Sequence, residues 1–250
     1  MTHPPQRAIH DVERISDEMR AITRRVAIDL RYLHEDKSRD HIVEHVEDAG
    51  LILDVGASMR DHLGAITDRT ETMDINDFGD YPDILGDVCS PFPSDMDQRY
   101  DAIIALAILE HVYDPAAAVR NFQGALKPGG KLFLYIPWMW RYHGPKELLF
   151  QDYQRLSRDG IAYLLRDFED VTLFPLRGKW AARMNFFKFW KRRVERRFGG
   201  VFNRLLDSRV TDWRNTVQAS GYFVCATLPN DWTVDPHDAK SMKTRANSSE

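Results

Sequence analysis

The stretch Leu51-Ile52-Leu53-Asp54-Val55-Gly56-Ala57-Ser58 decides the fold. Its aliphatics close on an acid, and a glycine then opens a run of small side chains. This pattern reads as a buried parallel strand entering a tight turn where backbone must approach a ligand. It predicts the first strand of a cofactor-binding α/β unit.

Working outward, Thr70-Glu71-Thr72-Met73-Asp74-Ile75 is a second strand whose acid, Asp74, lies 20 residues beyond Asp54. An acid there, at the tip of the second strand of a nucleotide-binding unit, is placed to accept from both ribose hydroxyls. The alternative reading is a turn or cap aspartate. Ile84 to Cys89 opens a third unit, followed by the strand Tyr100 to Leu106, a helix from about Pro115 to Leu126, and the strand Lys131 to Ile136. Strands alternating with helices at this spacing predict a parallel sheet wound by right-handed crossovers, with ligands at the carboxyl ends of the strands.

The segments Tyr100-Asp101-Ala102-Ile103-Ile104, Leu109-Glu110-His111-Val112-Tyr113-Asp114-Pro115 and Leu126-Lys127-Pro128-Gly129-Gly130-Lys131-Leu132 resemble class I S-adenosylmethionine-dependent methyltransferases, most closely the small-molecule group called type 11. With the opening strand, Asp74 and Gly86-Asp87-Val88 ahead of Phe92-Pro93, the similarity covers about Leu51 to Pro137. The resemblance implies a Rossmann-like seven-stranded, mostly parallel sheet with helices on both faces and an antiparallel last strand between its two predecessors. It also implies S-adenosylmethionine as cofactor. The backbone at Asp54, Gly56 and Ser58 would face its methionine end, and Asp74 its ribose. Asp87 would take the adenine amino group, the Val88 amide a ring nitrogen, and Ala105 and Leu106 would lie near the sulfonium. Lys127 to Gly130 reads as a structural turn ending a helix. The family's Asp-x-Gly-x-Gly-x-Gly loop is broken here, because Ser58 and Arg60 stand at the second and third glycine positions. Both can bind the methionine carboxylate, or the loop is degenerate.

Beyond this region, Pro137 to Pro145 is an aromatic loop at a strand's carboxyl end, a place for acceptor contacts. Asp152-Tyr153-Gln154-Arg155-Leu156-Ser157-Arg158-Asp159-Gly160 resembles a segment of several such methyltransferases, including glycan-associated ones. Asp152 and Arg155 read as an ion pair, and Ser157 as the N-cap of a helix from Arg158 to Asp167. Transfer from a sulfonium needs positioning and a deprotonated acceptor more than a covalent enzyme group. For O-methylation a base is needed, and His143 is the first candidate, His111 the second. Surface and helix-start roles are their alternatives.

The 250 residues divide into N-terminal helices over 1–48, packed as a cap or over the domain, a methyltransferase domain over 49–230, and a disordered tail over 231–250. A helical insertion occupies about 178–212, before the last strand. Ile15, Met19, Ile22, Val26, Leu30 and Leu33 set the stripe of the first helix or helix pair. Arg177 to Arg209 carries eleven basic and two acidic residues, a local +9 that leaves −13 elsewhere within the net −4. On a helix from Trp180 to Phe198, an aromatic stripe backs a cationic face. That suits packing, a dimer contact or an anionic membrane surface. Nucleic acid is disfavoured, because Ala105-Leu106-Ala107-Ile108 stands where base-amine methyltransferases carry Asn/Asp-Pro-Pro-Tyr/Phe.

Cys89 and Cys225 are too few and too far apart for a disulfide framework or a metal cage, and no metal site is expected. No apolar run approaches the ~18 residues of a membrane span, and no signal peptide is visible. A cytoplasmic protein, at most peripheral to the inner face of the membrane, is expected. The leading functional reading is O-methylation of a small-molecule, sugar or lipid-linked acceptor. A non-catalytic cofactor-binding scaffold is second. A nicotinamide dehydrogenase is third, disfavoured because no Gly-x-Gly-x-x-Gly follows the first strand.

Overall fold

A computed structural model describes residues 12–33, 37–56, 68–144, 150–186, 201, 205 and 217–233. Its elements run α1 (Val12–Arg25), β1 (Ala27–Ile28), α2 (Ser38–Val46), β2 (Ile52–Val55), β3 (Thr70–Asp74), β4 (Ile84–Leu85) and β5 (Tyr100–Leu106). Then follow α3 (Pro115–Ala125), β6 (Leu126–Pro137), α4 (Arg158–Leu164), β7 (Glu169–Leu176), α5 (Lys179–Met184) and β8 (Gly221–Thr227). The strands form one sheet in the order β1-β7-β8-β6-β5-β2-β3-β4. Every pairing is parallel except those of β8, which lies antiparallel between β6 and β7. The expected sheet is therefore present with one strand more than the seven foreseen.

The additional strand corrects the reading of the N-terminal stripe. The helix stops at Arg25, and Ala27 and Ile28 pair with Thr172 and Leu173 of β7. Val26 and Ile28 are β-branched and sit beside the open edge of β7, whose Leu173 carbonyl accepts from the Asp29 amide at 3.0 Å. An edge with unmet backbone groups outweighs weak helical propensity at these residues. Ile15 and Met19, earlier in the stripe, each remain 38% exposed.

Side-chain alternation sorts the core into two layers, because successive strand residues face opposite sides. Ala102 and Ile104 of β5, Phe133 of β6 and Phe223 of β8 join the cluster under α2, with Ile42 and Val46. Ile103, Leu132, Leu134 and Val224 face the other way, against Val119 and Phe122 of α3 and Ile161 of α4. His41 of α2 is buried among Phe133, Phe174 and Phe223 and meets the Tyr32 hydroxyl at 3.0 Å. Burial pushes its pKa down to about 4, so it packs as a neutral ring.

Helix starts follow their caps. Asp114 accepts from the Ala117 amide at 2.9 Å ahead of Pro115 at the first helical position, and Ser157 accepts from Gly160 at 3.2 Å. The Lys127 to Gly130 turn is a correction. The helix ends at Ala125 with Leu126 already extended, and the glycines belong to β6. Gly129, at φ +76°, donates to the Leu228 carbonyl, and Gly130 accepts from the Leu228 amide, so both register β6 against the end of β8.

Phe223 is fully buried where the α2 layer meets the sheet. Phe223→Ala is expected to cost about 3–5 kcal/mol in a denaturant melt. A loss under 1 kcal/mol would show that this layer does not hold the fold.

Candidate functional site

The carboxyl ends of β2, β3, β4 and β5 open into one cavity of about 740 Å³. Its lining draws on most of the sequence-chosen residues. Gly56 leaves β2 at φ +69°, its amide donating to the Met73 carbonyl at 2.7 Å. A Cβ at Gly56 would collide with the Ile108 side chain, so only glycine lets the turn after β5 close against the end of β2. Asp74 ends β3 nearly buried, with Oδ1 accepting from the Asn76 amide at 2.9 Å and side chain at 3.1 Å.

Asp87 and Val88 follow β4 and also line the cavity. Asp87 accepts from the Cys89 amide at 2.9 Å, the Ser90 hydroxyl at 3.4 Å and the Tyr113 hydroxyl at 2.7 Å. These take three of about four lone-pair positions on a carboxylate, leaving one for a ligand donor. The bond to Asp87 also pushes the Tyr113 pKa up to about 12, so that hydroxyl stays a donor. The Val88 carbonyl accepts from Asn121 Nδ2 at 2.7 Å, which holds this loop in place.

Two chosen residues lie behind the wall rather than on it. Ala105 is wholly buried in β5 and Asp54 nearly so in β2, while Leu106 does reach the cavity. The next residue, Ala107, sits at φ +58°, which turns the chain sharply out of the strand. A non-glycine residue there costs of order 1 kcal/mol and persists only where its surroundings over-determine it. Ser58 and Arg60 lie outside the described residues.

Desolvation raises the Asp54 pKa to about 7. Between about pH 4 and 7 the unfolded chain has released this proton while the folded chain keeps it, so stability falls as pH rises through that window. His41 works in the opposite sense over about pH 4 to 6.5, so a difference between variants isolates Asp54. Asp54→Asn is expected to be more stable than the parent at pH 8, by at most about 4 kcal/mol, and to match it near pH 4. Thermal melts of the cofactor-free protein at both pH values check this, and equal gains at both would rule out titration as the cause.

Opposite the β2 and β3 ends, three titratable groups converge. Glu110 is only 1% exposed, and among the described residues neither carboxylate oxygen has a hydrogen-bond partner. Its Oε1 lies 3.6 Å from His143 Nε2 and 3.8 Å from His111 Nε2, and the rings stand edge to face. The turn after β5 carries Glu110 and His111, and the loop after the neighbouring β6 carries His143. Residues 150–157 clamp the two together. Tyr153 N donates to the Glu110 carbonyl at 2.8 Å, and Gln154 Nε2 donates to the Leu109 and Val112 carbonyls at 2.9 and 3.1 Å. Arg155 binds Asp152 through both nitrogens and donates to the Arg141 carbonyl at 3.1 Å. The ion pair read from sequence is thus present, and it also positions His143, whose amide donates to Asp152 at 2.9 Å.

The facing Glu110 carboxylate raises the His143 pKa against the opposing pull of burial, with the Arg141 carbonyl and Asp152 adding to the rise. Sequence reasoning placed both histidines near the acceptor and missed Glu110. Its signal was there, one position before His111 in the quoted Leu-Glu-His-Val.

The basic insertion is described only at its start. α5 ends at Met184, and Asn185 anchors it beside the aromatic loop, donating to the Met139 carbonyl at 3.0 Å and the Ser220 hydroxyl at 2.8 Å. Trp180 is 47% exposed, with Arg183 and Lys179 over its ring at 4.6 and 5.5 Å. The remainder of the Trp180 to Phe198 stripe and the tail from residue 234 lie outside the described residues. Among the described residues no helix is long and apolar enough to cross a membrane.

A family model described as a methyltransferase domain matches residues 25–178. Over 36 residues the chain is 50% identical to the ubiquinone biosynthesis O-methyltransferase of Coxiella burnetii, covering 14% of this chain and 15% of that enzyme. The chain thus spans about 15% of the length of the curated relatives it matches. Looser likenesses join solved structures. The [4+2]-cyclase SpnF aligns with 86% of this chain and 92% of its own at 17% identity and a TM-score of 0.46. The Burkholderia thailandensis 1,6-didemethyltoxoflavin-N1-methyltransferase, which binds S-adenosylhomocysteine there, aligns with 91% and 93% at 12% identity and a TM-score of 0.45.

Proposed function

Because the chain belongs to the methyltransferase-domain family and is a class I S-adenosylmethionine-dependent methyltransferase, we propose that it O-methylates a small-molecule acceptor, lipid-linked or sugar-bearing. The observation that carries this reading is the single cavity joining the Asp74 and Asp87 end to the Glu110, His111 and His143 end. At about 740 Å³ it lies in the upper part of the ~300–1,000 Å³ range of ligand pockets, room for a cofactor with an acceptor beside it.

In this reading Asp74 accepts from the ribose hydroxyls, and the remaining lone pair of Asp87 takes the adenine amino group. The Val88 amide donates to the adenine ring. The backbone at Gly56, with Ser58 beyond it, faces the methionine end, while Asp54 and Ala105 shape the wall from behind. Leu106 leads to the sulfonium, and Trp140, Phe150 and Tyr153 wall the acceptor. His143 and His111 stand where an acceptor hydroxyl would shed its proton. The partial match to an O-methyltransferase supports oxygen as the methylated atom.

Calorimetry with S-adenosylmethionine and S-adenosylhomocysteine tests the cofactor half. Asp74→Ala is expected to weaken both by roughly 10- to 100-fold, the value of about 1.5–3 kcal/mol for hydrogen bonds to a charged group. Full affinity in that variant would overturn the assignment of this cavity.

A lipid-linked acceptor is supported by the cationic, aromatic start of the insertion beside the acceptor loop. Each basic residue near an anionic surface contributes about 1 kcal/mol. Changing Arg192, Arg193, Arg196 and Arg197 together to Glu is expected to abolish flotation with anionic liposomes. Unchanged partitioning would remove the membrane from the reading and leave a diffusing acceptor.

A further inference from the structure

Glu110 presents a physical problem that the methyltransferase reading does not solve. A carboxylate this buried, with both oxygens unbonded, is costly unless something of opposite charge meets it. Neither histidine hydrogen-bonds it, since 3.6 and 3.8 Å are too long, although both lie within ion-pair reach when protonated.

The outer nitrogens of both rings are already engaged. His111 Nδ1 lies 2.7 Å from the Gln151 carbonyl, which can only accept, so the hydrogen is on Nδ1 and the lone pair on Nε2. His143 Nδ1 stands 3.2 Å from both the Arg141 carbonyl and Asp152 Oδ2, two acceptors, and 3.3 Å from Arg155 Nη2, a donor, so this nitrogen is held from three sides. The two inner imidazole nitrogens and a buried carboxylate without a hydrogen-bond partner among the described residues therefore converge, their ligating atoms all within 4.8 Å. Outer-nitrogen bonds to a carbonyl and a carboxylate are how proteins orient histidine ligands.

The geometry points to a divalent transition-metal site at the acceptor end of the cleft, with Glu110 Oε1, His111 Nε2 and His143 Nε2 as its protein ligands. Two imidazoles and one carboxylate suit zinc, cobalt or iron rather than calcium or magnesium. Bonds of about 2.0–2.2 Å imply tetrahedral ligand separations of ~3.3 Å, so two of the three edges lie within about half an ångström of binding distance. Three ligands leave a coordination position open, and all three residues line the cavity. The ion and its ligands carry a net +1, which favours an anionic oxygen in that position. This rests on the O-methylation reading and deepens it. With the ion present, the imidazoles are ligands rather than bases, and the acceptor hydroxyl ionises because the ion lowers its pKa, its proton leaving to solvent.

The test uses the full chain, stripped with a chelator and then titrated with Zn²⁺ by calorimetry and Co²⁺ by visible absorption. One ion per chain is expected, with a cobalt d–d band and at least 100-fold weaker binding in both His143→Asn and Glu110→Gln. The second variant keeps the shape of the side chain and removes its buried charge, so it guards against loss of fold. No stoichiometric binding, or unchanged affinity in both variants, overturns the site. Calorimetry of S-adenosylhomocysteine on the metal-free protein reads the cofactor separately. Retained cofactor binding with no cobalt band overturns the metal site and leaves the methyltransferase reading standing. A cobalt band without cofactor binding supports the metal site and overturns that reading.

Discussion

The parallel register of β2 against β5, with Leu53 opposite Ile103 and Val55 opposite Ala105, is the constraint on which the cleft depends. It is pinned at the far end by Asp101, whose carboxylate accepts from the Leu51 amide at 2.9 Å and Lys127 at 2.7 Å, while its amide donates to the Leu51 carbonyl. A slip of one residue would turn every side chain of β5 to the wrong layer. It would also separate Gly56 from Ile108, and that contact brings the turn after β5 over the cofactor end. Leu106 and Ala107 would then no longer emerge beside Gly56, and Glu110 would not reach the loop after β6.

The strands were legible because their apolar runs are bounded by acids and glycines, which mark where backbone leaves the sheet. Asp74 follows from that boundary logic, since a residue at a buried strand's carboxyl end has few places to go except the cleft, whereas Asp87, Val88 and Leu106 were reached through the family resemblance. Ala27 and Ile28 were not legible as a strand. Two residues cannot display a period of two, and the pairing is dictated by the open edge of β7, some 145 residues away. Lys127 to Gly130 misled for a related reason. A glycine after a helix ordinarily caps it, but here Leu126 is already bonded into the sheet and the glycines serve the β6–β8 register.

The Glu110 cluster shows the limit from the other side. Glu110 and His111 are adjacent in sequence, and adjacent residues diverge in any regular helix or strand. They face one place only because Ala107, at positive φ, throws the chain into an irregular turn, and the Tyr153 and Gln154 hydrogen bonds hold that turn open. His143 lies on a different loop, 32 residues on. No spacing rule links these three; their meeting is a product of the β5–β6 pairing and the Asp152–Arg155 clamp.

That clamp also accounts for where the charge is allowed to sit. Asp152 and Arg155 neutralise one another almost wholly out of solvent, with the Arg141 carbonyl filling a remaining guanidinium donor. The loop carrying His143 is thereby fixed without drawing on Glu110. Had Arg155 reached Glu110 instead, the buried carboxylate would be an ordinary ion pair and the histidines mere neighbours. Because Arg155 is spent on Asp152, the Glu110 carboxylate is left facing the two histidines and the cleft, where a protonated His143 or a bound cation can meet its charge.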